Sequence, residues 1–308
     1  MKLNDLEKSF KKGTISKPEY IKKMYEVHDY LFEYSEFIKS RDIKKIEITS
    51  KGVEVTSKEF GITILCKRKD ERTAPIEILN FGYYEKKDSD MILSLIGDNS
   101  TFFDIGGNIG WYSILVSKVK HNVEIYVFEP IKKTYDDLLT NITINNCDYV
   151  KPFNIGLSNK IGHEFFYFYE EGSGNASSAL LNPDRNNKQF KCQVDTLDNF
   201  VASKNLKTLD FIKCDVEGAE FHVLEGGVNT IIRFRPIIFT EMLRKWTAKF
   251  DYHPNKIIDF LKNLEYRCFV SEVGRLKEFY EMNDITEETN YFFLHDKKHS
   301  NLISKFII

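Results

Sequence analysis

Short apolar segments alternate with helix-like segments through most of this 308-residue chain. Because each apolar run is short and is followed by an amphipathic stretch, the pattern is typical of a parallel sheet with crossover helices. The sequence therefore predicts an α/β fold with a Rossmann-like sheet. The predicted strands lie at 101–105, 123–128, 150–155, 209–214, 236–240, 266–270 and 291–295.

The first 75 residues follow a different pattern. A helical periodicity covers 17–39, behind a capping box that begins at Ser16, and a two-residue alternation between 46 and 67 then indicates a β-hairpin. We therefore predict an accessory region at 1–75, made of a helix and a β-hairpin, and a main domain at 76–308. The apolar stripe of the helix is a candidate homodimer contact as well as a cover for its own domain.

Charge and cysteine content narrow the functional classes. The 44 basic and 46 acidic residues give a net charge of −2, so nothing indicates an overall attraction to nucleic acid or to a membrane. The five cysteines are scattered and never form a C-x-x-C pair, which favours reduced thiols over disulfides or a zinc site. No apolar run reaches a membrane-spanning length, and the N-terminus lacks the apolar core of a signal peptide. These features predict a cytoplasmic protein.

A glycine-rich turn joins the first strand of the main domain to the next helix. It reads Asp104-Ile-Gly-Gly-Asn-Ile-Gly110, and its glycines allow a tight turn and a close approach of a ligand to the helix N-terminus. The dinucleotide fingerprint is not met, because Ile105 occupies its first glycine position. The Asp104 carboxylate would repel a pyrophosphate and attract a cation. The turn therefore suits S-adenosylmethionine better than NAD.

Acidic residues follow three other predicted strands. Glu129 ends the second strand, where a carboxylate can accept both hydrogen bonds of a ribose diol. Asp215 and Glu217 follow one later strand, and Glu241 ends its neighbour. Acids at a helix N-terminus often only compensate the helix dipole. Ligands nevertheless bind at the carboxyl ends of such strands, so these residues are also candidates for acceptor chemistry.

Several ordered motifs combine these features. They are Asp104-Ile-Gly-Gly-Asn-Ile-Gly-Trp-Tyr-Ser113, Phe128-Glu-Pro130, Asn154-Ile-Gly-Leu-Ser158, Val194-Asp-Thr-Leu-Asp198, Ile212-Lys-Cys-Asp-Val-Glu-Gly-Ala-Glu220 and Phe239-Thr-Glu241. In order and spacing the set resembles the FkbM family of S-adenosylmethionine-dependent methyltransferases, over about residues 75–295. Gly107 departs from the alanine that is common in the family. The resemblance implies a class I methyltransferase sheet, mostly parallel with an antiparallel final strand.

The resemblance also implies which residues bind the cofactor. The methionine part would lie against the glycine turn, the ribose against Glu129, and the adenine edge against Asn154 and Ile155. Tyr84 and Glu85 match a family segment that would close over the cofactor, although a surface turn and helix cap is an alternative. The implied cofactor set is Tyr84, Glu85, Asp104, Gly106, Gly107, Asn108, Gly110, Glu129, Asn154, Ile155 and Asp215.

Methyl transfer requires an aligned acceptor, and a base should help a hydroxyl to react. Asp215 and Glu241 are the first candidates for that base or for orienting the acceptor, and Glu217 is the next. The same acids could instead hold a divalent metal, but because no histidine ligand accompanies them we predict a metal-free site.

The acceptor has its own candidate residues. Asn175 and Ser177 lie in a loop rich in glycine and serine and could hydrogen-bond a polar acceptor, but a lid without direct contacts is an alternative. His222 is another candidate, with a structural role as its alternative.

We therefore predict an S-adenosylmethionine-dependent O-methyltransferase. The family implies a hydroxylated small-molecule acceptor, and we place first a sugar or glycoconjugate, as in polysaccharide biosynthesis. Two alternatives stay open, an NAD(P)-dependent oxidoreductase and a non-catalytic cofactor-binding scaffold. The sequence contains no P-loop, H-E-x-x-H or G-x-S-x-G motif, which weakens kinase, zinc-protease and serine-hydrolase hypotheses.

Overall fold

A computed structural model describes residues 3–169, 176–181 and 183–308. Its strands are β1 (Ile43–Thr49), β2 (Gly52–Ser57), β3 (Thr63–Cys66), β4 (Thr101–Ile105), β5 (Glu124–Phe128), β6 (Val150–Phe153), β7 (Gly156–Leu157), β8 (Gly162–Phe168), β9 (Lys188–Asp195), β10 (Phe211–Cys214), β11 (Ile237–Glu241), β12 (Tyr266–Glu272), β13 (Arg275–Glu278) and β14 (Asn290–His295).

Helices separate most of these strands. They are α1 (Leu3–Lys11), α2 (Lys17–His28), α3 (Tyr30–Phe37), α4 (Ala74–Phe81), α5 (Lys86–Leu95), α6 (Trp111–Val119), α7 (Lys132–Ile144), α8 (Leu197–Ser203), α9 (Glu220–Glu225), α10 (Val228–Phe234), α11 (Arg244–Thr247), α12 (Asn255–Lys262) and α13 (Ser300–Phe306). Within the described ranges, none of the helices has the combination of length and apolar character needed to cross a bilayer.

The main sheet has eight strands in the order β13-β12-β14-β11-β10-β4-β5-β6. From β11 to β6 the strands are parallel, whereas β14 is antiparallel to both of its neighbours. This arrangement confirms the predicted class I methyltransferase sheet with an antiparallel final strand. The chain moves outward from β4 through β5 and β6, then returns to the other side of β4 at β10. Such a reversal opens a crevice at the carboxyl ends of the central strands.

Apolar side chains cover both faces of the central strands. Every residue of β4 is buried, and successive residues enter different cores: Phe102 packs in the cluster on one face and Phe103 in the cluster on the other. This burial on both faces explains why the strands read as continuous apolar runs. The two cores hold β4 and its neighbours in a rigid frame, so the residues just beyond the strand ends have defined positions.

The accessory region forms its own antiparallel sheet, β1-β2-β3, outside the main sheet. The predicted hairpin thus gains a third strand, and the predicted single helix is divided into α2 and α3, with α1 before them. The Asn145 side chain accepts a hydrogen bond from the Thr63 amide at 2.9 Å and donates one to the Thr63 carbonyl at 2.6 Å. Ile64 packs in the same core as Phe102. Because the core is continuous, a domain boundary at residue 75 stays a prediction.

Candidate functional site

A cavity of about 270 Å³ lies at the carboxyl ends of β4, β5, β10 and β11. The switch in strand order and the turns after these strands create it. Many of the predicted site residues line it, so the fold brings together motifs that are far apart in the chain. These residues are Tyr84, Glu85, Gly106, Gly107, Asn108, Glu129, Asp215, Glu217 and Glu241.

The glycine turn forms the floor of the cavity. Gly106 has a φ of +75°, and a Cβ there would overlap the Asp215 carbonyl oxygen. A Cβ at Gly107 would overlap the Val127 side chain. Gly110 plays a different part, because its Cβ would lie 2.5 Å from Leu138 Cδ1, in the contact between α6 and α7. Gly106 is therefore required by its left-handed φ and by the approach of the backbone that follows β10, Gly107 by its contact with the Val127 side chain on β5, and Gly110 by helix packing.

Asp104 does not lie in the cavity wall. Its side chain has no exposed surface, accepts a 2.6 Å hydrogen bond from Ser113 Oγ and lies 3.5 Å from Lys213 Nζ. Asp104 and Lys213 are paired in register on adjacent parallel strands, which points both side chains to the same face. The expected direct attraction of a cationic ligand to Asp104 is thus not the geometry observed. Asp104 instead holds the lysine beneath the turn.

Lys213 lines the cavity and was not among the site residues predicted from the sequence. It is 3% exposed, and its Nζ donates to the Gly106 carbonyl at 2.7 Å and lies 3.4 Å from Asp215 Oδ2. Burial lowers the pKa of Lys213, but the Asp215 and Asp104 carboxylates outweigh it, so the pKa is raised. This charged lysine ties the glycine turn to the first acid after β10. The feature of the sequence that could have identified Lys213 is that it is a single lysine inside an otherwise apolar strand.

Glu129 borders the cavity at the end of β5. Its two carboxylate oxygens accept hydrogen bonds from the backbone amides of Asn108, at 3.1 Å, and Ile131, at 2.9 Å. Burial raises the pKa of Glu129 to about 7, although these amide donors act in the opposite direction. The carboxylate is thus held in one orientation at the place predicted for a ribose-binding acid.

The two residues predicted to contact adenine, Asn154 and Ile155, do not line the cavity. Asn154 Nδ2 donates to the carbonyls of Glu129 and Pro130, at 2.9 and 3.0 Å. Asn154 is therefore used to shape the turn after β5, and Ile155 packs against the core. Apolar residues that sequence reasoning did not select line this part of the cavity instead. They are Phe128, Leu157 and Phe166.

Three acids meet opposite the glycine turn. One carboxylate oxygen each from Asp215, Glu217 and Glu241 lies within 4.8 Å of the others. Burial, followed by the charge of Asp215, raises the pKa of both Glu217 and Glu241 well above the ordinary value. This spacing is also short enough for one divalent cation to contact all three, so the metal-free site stays a prediction.

Glu220 has a separate role. Its Oε1 accepts hydrogen bonds from the Val216 and Gly218 amides, both at 3.0 Å, and the side chain is 1% exposed. Burial raises the pKa of Glu220 to about 7. Glu220 therefore holds the loop that presents Asp215 and Glu217 and is itself outside the cavity lining.

An aromatic wall covers the side of the cavity near α5 and α6. Tyr112 donates a hydrogen bond to Glu85, and Tyr84 packs edge-on against Trp111 with 5.3 Å between ring centroids. Burial raises the pKa of Glu85 to about 7, while the Tyr112 hydrogen bond lowers it. Tyr84 and Glu85 thus line the cavity wall, and their contact with a cofactor stays a prediction. Trp111 lines the cavity too, and its buried Nε1 has no hydrogen-bond partner among the described residues.

The described residues Ser177 and His222, predicted to bind the acceptor, do not line the cavity. Ser177 is fully buried, and its Oγ donates to the Glu217 carbonyl at 2.9 Å, so it braces the acid loop and does not line the cavity. His222 packs edge-on against Phe250 with 5.6 Å between rings and also lies outside the lining. Neither of these two predicted acceptor-binding side chains therefore faces the cavity. Asn175 lies outside the described residues.

Comparison with known proteins agrees with this geometry. The model of the methyltransferase FkbM domain matches residues 104–268. Methyltransferase 1 of Beauveria bassiana is 30% identical over 148 residues, which are 42% of this chain and 59% of that protein. The 2-O-methyltransferase NoeI of Sinorhizobium fredii is 24% identical over 176 residues, 53% of this chain and 71% of that protein.

Among solved structures, the methyltransferase FkbM from Methylobacillus flagellatus is similar at 16% identity and a TM-score of 0.42, over 71% of this chain and 53% of that one. The chain spans about three-fifths of the length of the Beauveria bassiana relative that it matches. The sheet order and the glycine turn define an α/β fold of the class I methyltransferase type. The family model covers more than half of the chain, so the chain belongs to the FkbM methyltransferase family.

Proposed function

We propose that this chain is an S-adenosylmethionine-dependent O-methyltransferase that acts on a hydroxyl group of a small molecule, with sugars and glycoconjugates as the first acceptor class. One observation carries the proposal. A single cavity joins the glycine turn and Glu129, suited to an adenosyl ligand, to the three acids Asp215, Glu217 and Glu241, suited to a hydroxyl acceptor.

The residues present fit the proposed cofactor. Glu129 presents a fixed carboxylate for a ribose diol, and Phe128, Leu157 and Phe166 offer an apolar slot for adenine. Carboxylates outnumber cationic groups in the lining, which favours a ligand with ammonium and sulfonium charges over a pyrophosphate. The acids that line the cavity supply this negative charge, and the buried Asp104 lies outside the lining. When bound, S-adenosylmethionine would supply an electrophilic methyl group.

The acids would serve the acceptor. In an in-line displacement the acceptor oxygen forms a bond to the methyl carbon as the sulfur–carbon bond breaks, and the hydroxyl proton must leave. A raised pKa makes Glu241 or Glu217 a better proton acceptor near neutral pH than an ordinary glutamate. Asp215, held beside Lys213, would orient the acceptor. The 2-O-methyltransferase name of NoeI supports transfer to oxygen.

Transfer from isotopically methyl-labelled S-adenosylmethionine tests the proposal. The chain is incubated with free sugars, nucleotide sugars, glycans and other hydroxylated small molecules, and products are identified by mass spectrometry. We expect a labelled methyl ether. Binding of NAD without S-adenosylhomocysteine would favour the oxidoreductase hypothesis, and binding of neither would favour the scaffold.

A variant separates cofactor binding from acceptor chemistry. Glu241→Gln should keep S-adenosylhomocysteine affinity and lower kcat by about 10²-fold or more, the contribution of a positioned base. Because the base must be deprotonated, activity of the wild type should rise with pH through the raised pKa of the Glu217 and Glu241 pair. Unchanged kcat and pH profile in both Glu241→Gln and Glu217→Gln would refute the role of this pair.

The cytoplasm as the site of this activity belongs to the same proposal. The thiols of all five cysteines, Cys66, Cys147, Cys192, Cys214 and Cys268, are free, which suits a reducing compartment. Microscopy of the full-length protein with a fluorescent tag, together with cell fractionation, tests the cytoplasmic location.

A further inference from the structure

Helices α2 and α3, residues 17–37, expose their apolar side chains. Neither helix buries a single residue. Ile21, Tyr25 and Phe32 share one stripe of the helical repeat and are 57%, 59% and 64% exposed. Four further large apolar side chains of α3 are also exposed, namely Tyr30, Leu31, Tyr34 and Phe37. With α1, which packs on α2 through stacked Phe10 and Tyr20, they form the N-terminal arm, residues 3–37.

Such an arm requires a covering surface. Helices as short as α2 and α3 are marginal in water without tertiary packing of an apolar face. Aromatic side chains bury about 150–250 Å² each when fully covered. The stripe of Ile21, Tyr25 and Phe32, each about 60% exposed, therefore offers roughly 350 Å² to one facing partner, whereas Tyr30, Tyr34 and Phe37 lie on the opposite side of the helical repeat. This is less than the ~800 Å² per partner of a standard protein–protein interface, so the stripe can form only the apolar centre of a contact with a polar rim.

The charges of the arm divide into two halves. Residues 3–23 contain six lysines and three acids, a net charge of +3, whereas residues 24–37 contain four acids and no lysine or arginine, a net charge of −4. An isologous two-fold interface places the same surface of each copy against the other in antiparallel orientation. That arrangement sets each basic half against an acidic half.

We propose that the arm is the interface of a homodimer, in which the α2–α3 stripes of two copies pack antiparallel. The exposed apolar stripe and the charge pattern both fit a second copy of this chain. A membrane surface fits less well. Together with Lys39, the arm has seven lysines and seven acids, so its charges balance. Helices that bind at a membrane surface instead carry an excess of basic residues. The proposal does not depend on the methyltransferase activity.

Light scattering coupled to size-exclusion chromatography tests the apolar contact in the full chain. We expect the wild type to have the mass of a dimer and Tyr25→Asp/Phe32→Asp to raise the dissociation constant more than tenfold. Ile285→Asp is the matched control, since Ile285 is 86% exposed and lies outside the arm. Circular dichroism checks that all three are folded. A monomeric wild type, or a dimer that the arm variant does not weaken, would overturn the proposal.

Charge reversal tests the antiparallel orientation. Among the described residues Lys22, Glu26 and Glu33 form no ion pair, so they are free to meet a second copy. Lys12→Glu/Lys22→Glu and Glu26→Lys/Glu33→Lys should each weaken self-association more than tenfold, whereas an equal mixture of the two should restore the dimer. A mixture that stays monomeric excludes the orientation. Co-sedimentation of a monomeric wild type with vesicles of phosphatidylglycerol and phosphatidylcholine would replace the second copy with a membrane.

Discussion

At the scale of single residues, Lys213 has the strongest predicted effect on stability. Lys213 is 3% exposed, and its ammonium group compensates the buried carboxylate of Asp104. Lys213→Met would leave the Asp104 carboxylate buried with Ser113 as its remaining neutral donor. Breaking a buried ion pair in this way costs about 3–5 kcal/mol. We expect a decrease of that size in the free energy of unfolding, measured by urea denaturation.

Two controls make this result specific. Lys277→Met removes an exposed lysine that lies 3.2 Å from Glu272, and a surface pair of this kind contributes about 1 kcal/mol or less. Lys213→Met/Asp104→Asn removes both charges and should regain part of the stability, because the amide oxygen of the new side chain can still accept from Ser113. If Lys213→Met lowered the free energy of unfolding no more than Lys277→Met does, the buried lysine would not compensate the charge of Asp104.

At the scale of elements, the turn between β4 and α6 sets the shape of the cavity floor. Gly106→Ala would place a methyl group against the Asp215 carbonyl while keeping a left-handed φ of +75°. The turn must then move away from β10. We expect S-adenosylhomocysteine affinity to fall more than tenfold, measured by calorimetry.

Gly61→Ala is the matched control for Gly106→Ala. Gly61 has a similar φ of +64°, but a Cβ there meets no atom within 4 Å. It should cost about 1–2 kcal/mol of stability through the left-handed backbone and leave ligand affinity unchanged. Equal affinity in the two variants would show that the turn does not approach the ligand.

At the scale of the whole molecule, buried carboxyls make stability depend on pH. Burial raises the pKa of Glu129 and Glu220 to about 7 from 4.5 in the unfolded chain. Between these values the native state binds more protons than the unfolded state, so these groups lower the stability as pH rises. We expect the Tm to fall between pH 5 and pH 8 in calorimetric scans. Glu220→Gln keeps an oxygen for the Val216 and Gly218 amides and should make this fall smaller. An equally steep fall in the variant would contradict the assignment.

The sheet, the glycine turn and the acidic residues at the strand ends were predictable from the amino-acid sequence. These features depend on local rules, since strand burial, helix periodicity and the need for glycine at Gly106 are all expressed within a few neighbouring residues. Glu129, Asp215, Glu217 and Glu241 followed from the same logic. These four acids end or follow β5, β10 or β11 at the edge of the sheet where the crevice opens.

The directions in which individual side chains point were not predictable in this way and follow from the folded structure. Asp104 is buried because Lys213, far along the chain, is paired in register with it and neutralises it. Asn154 faces the backbone of Glu129 and not the cavity, because the turn after β5 offers two carbonyls to its amide. Both outcomes depend on contacts between segments that are distant in sequence, and no local pattern encodes the partner. The same holds for the exposed arm, since burial is a property of the whole packed molecule.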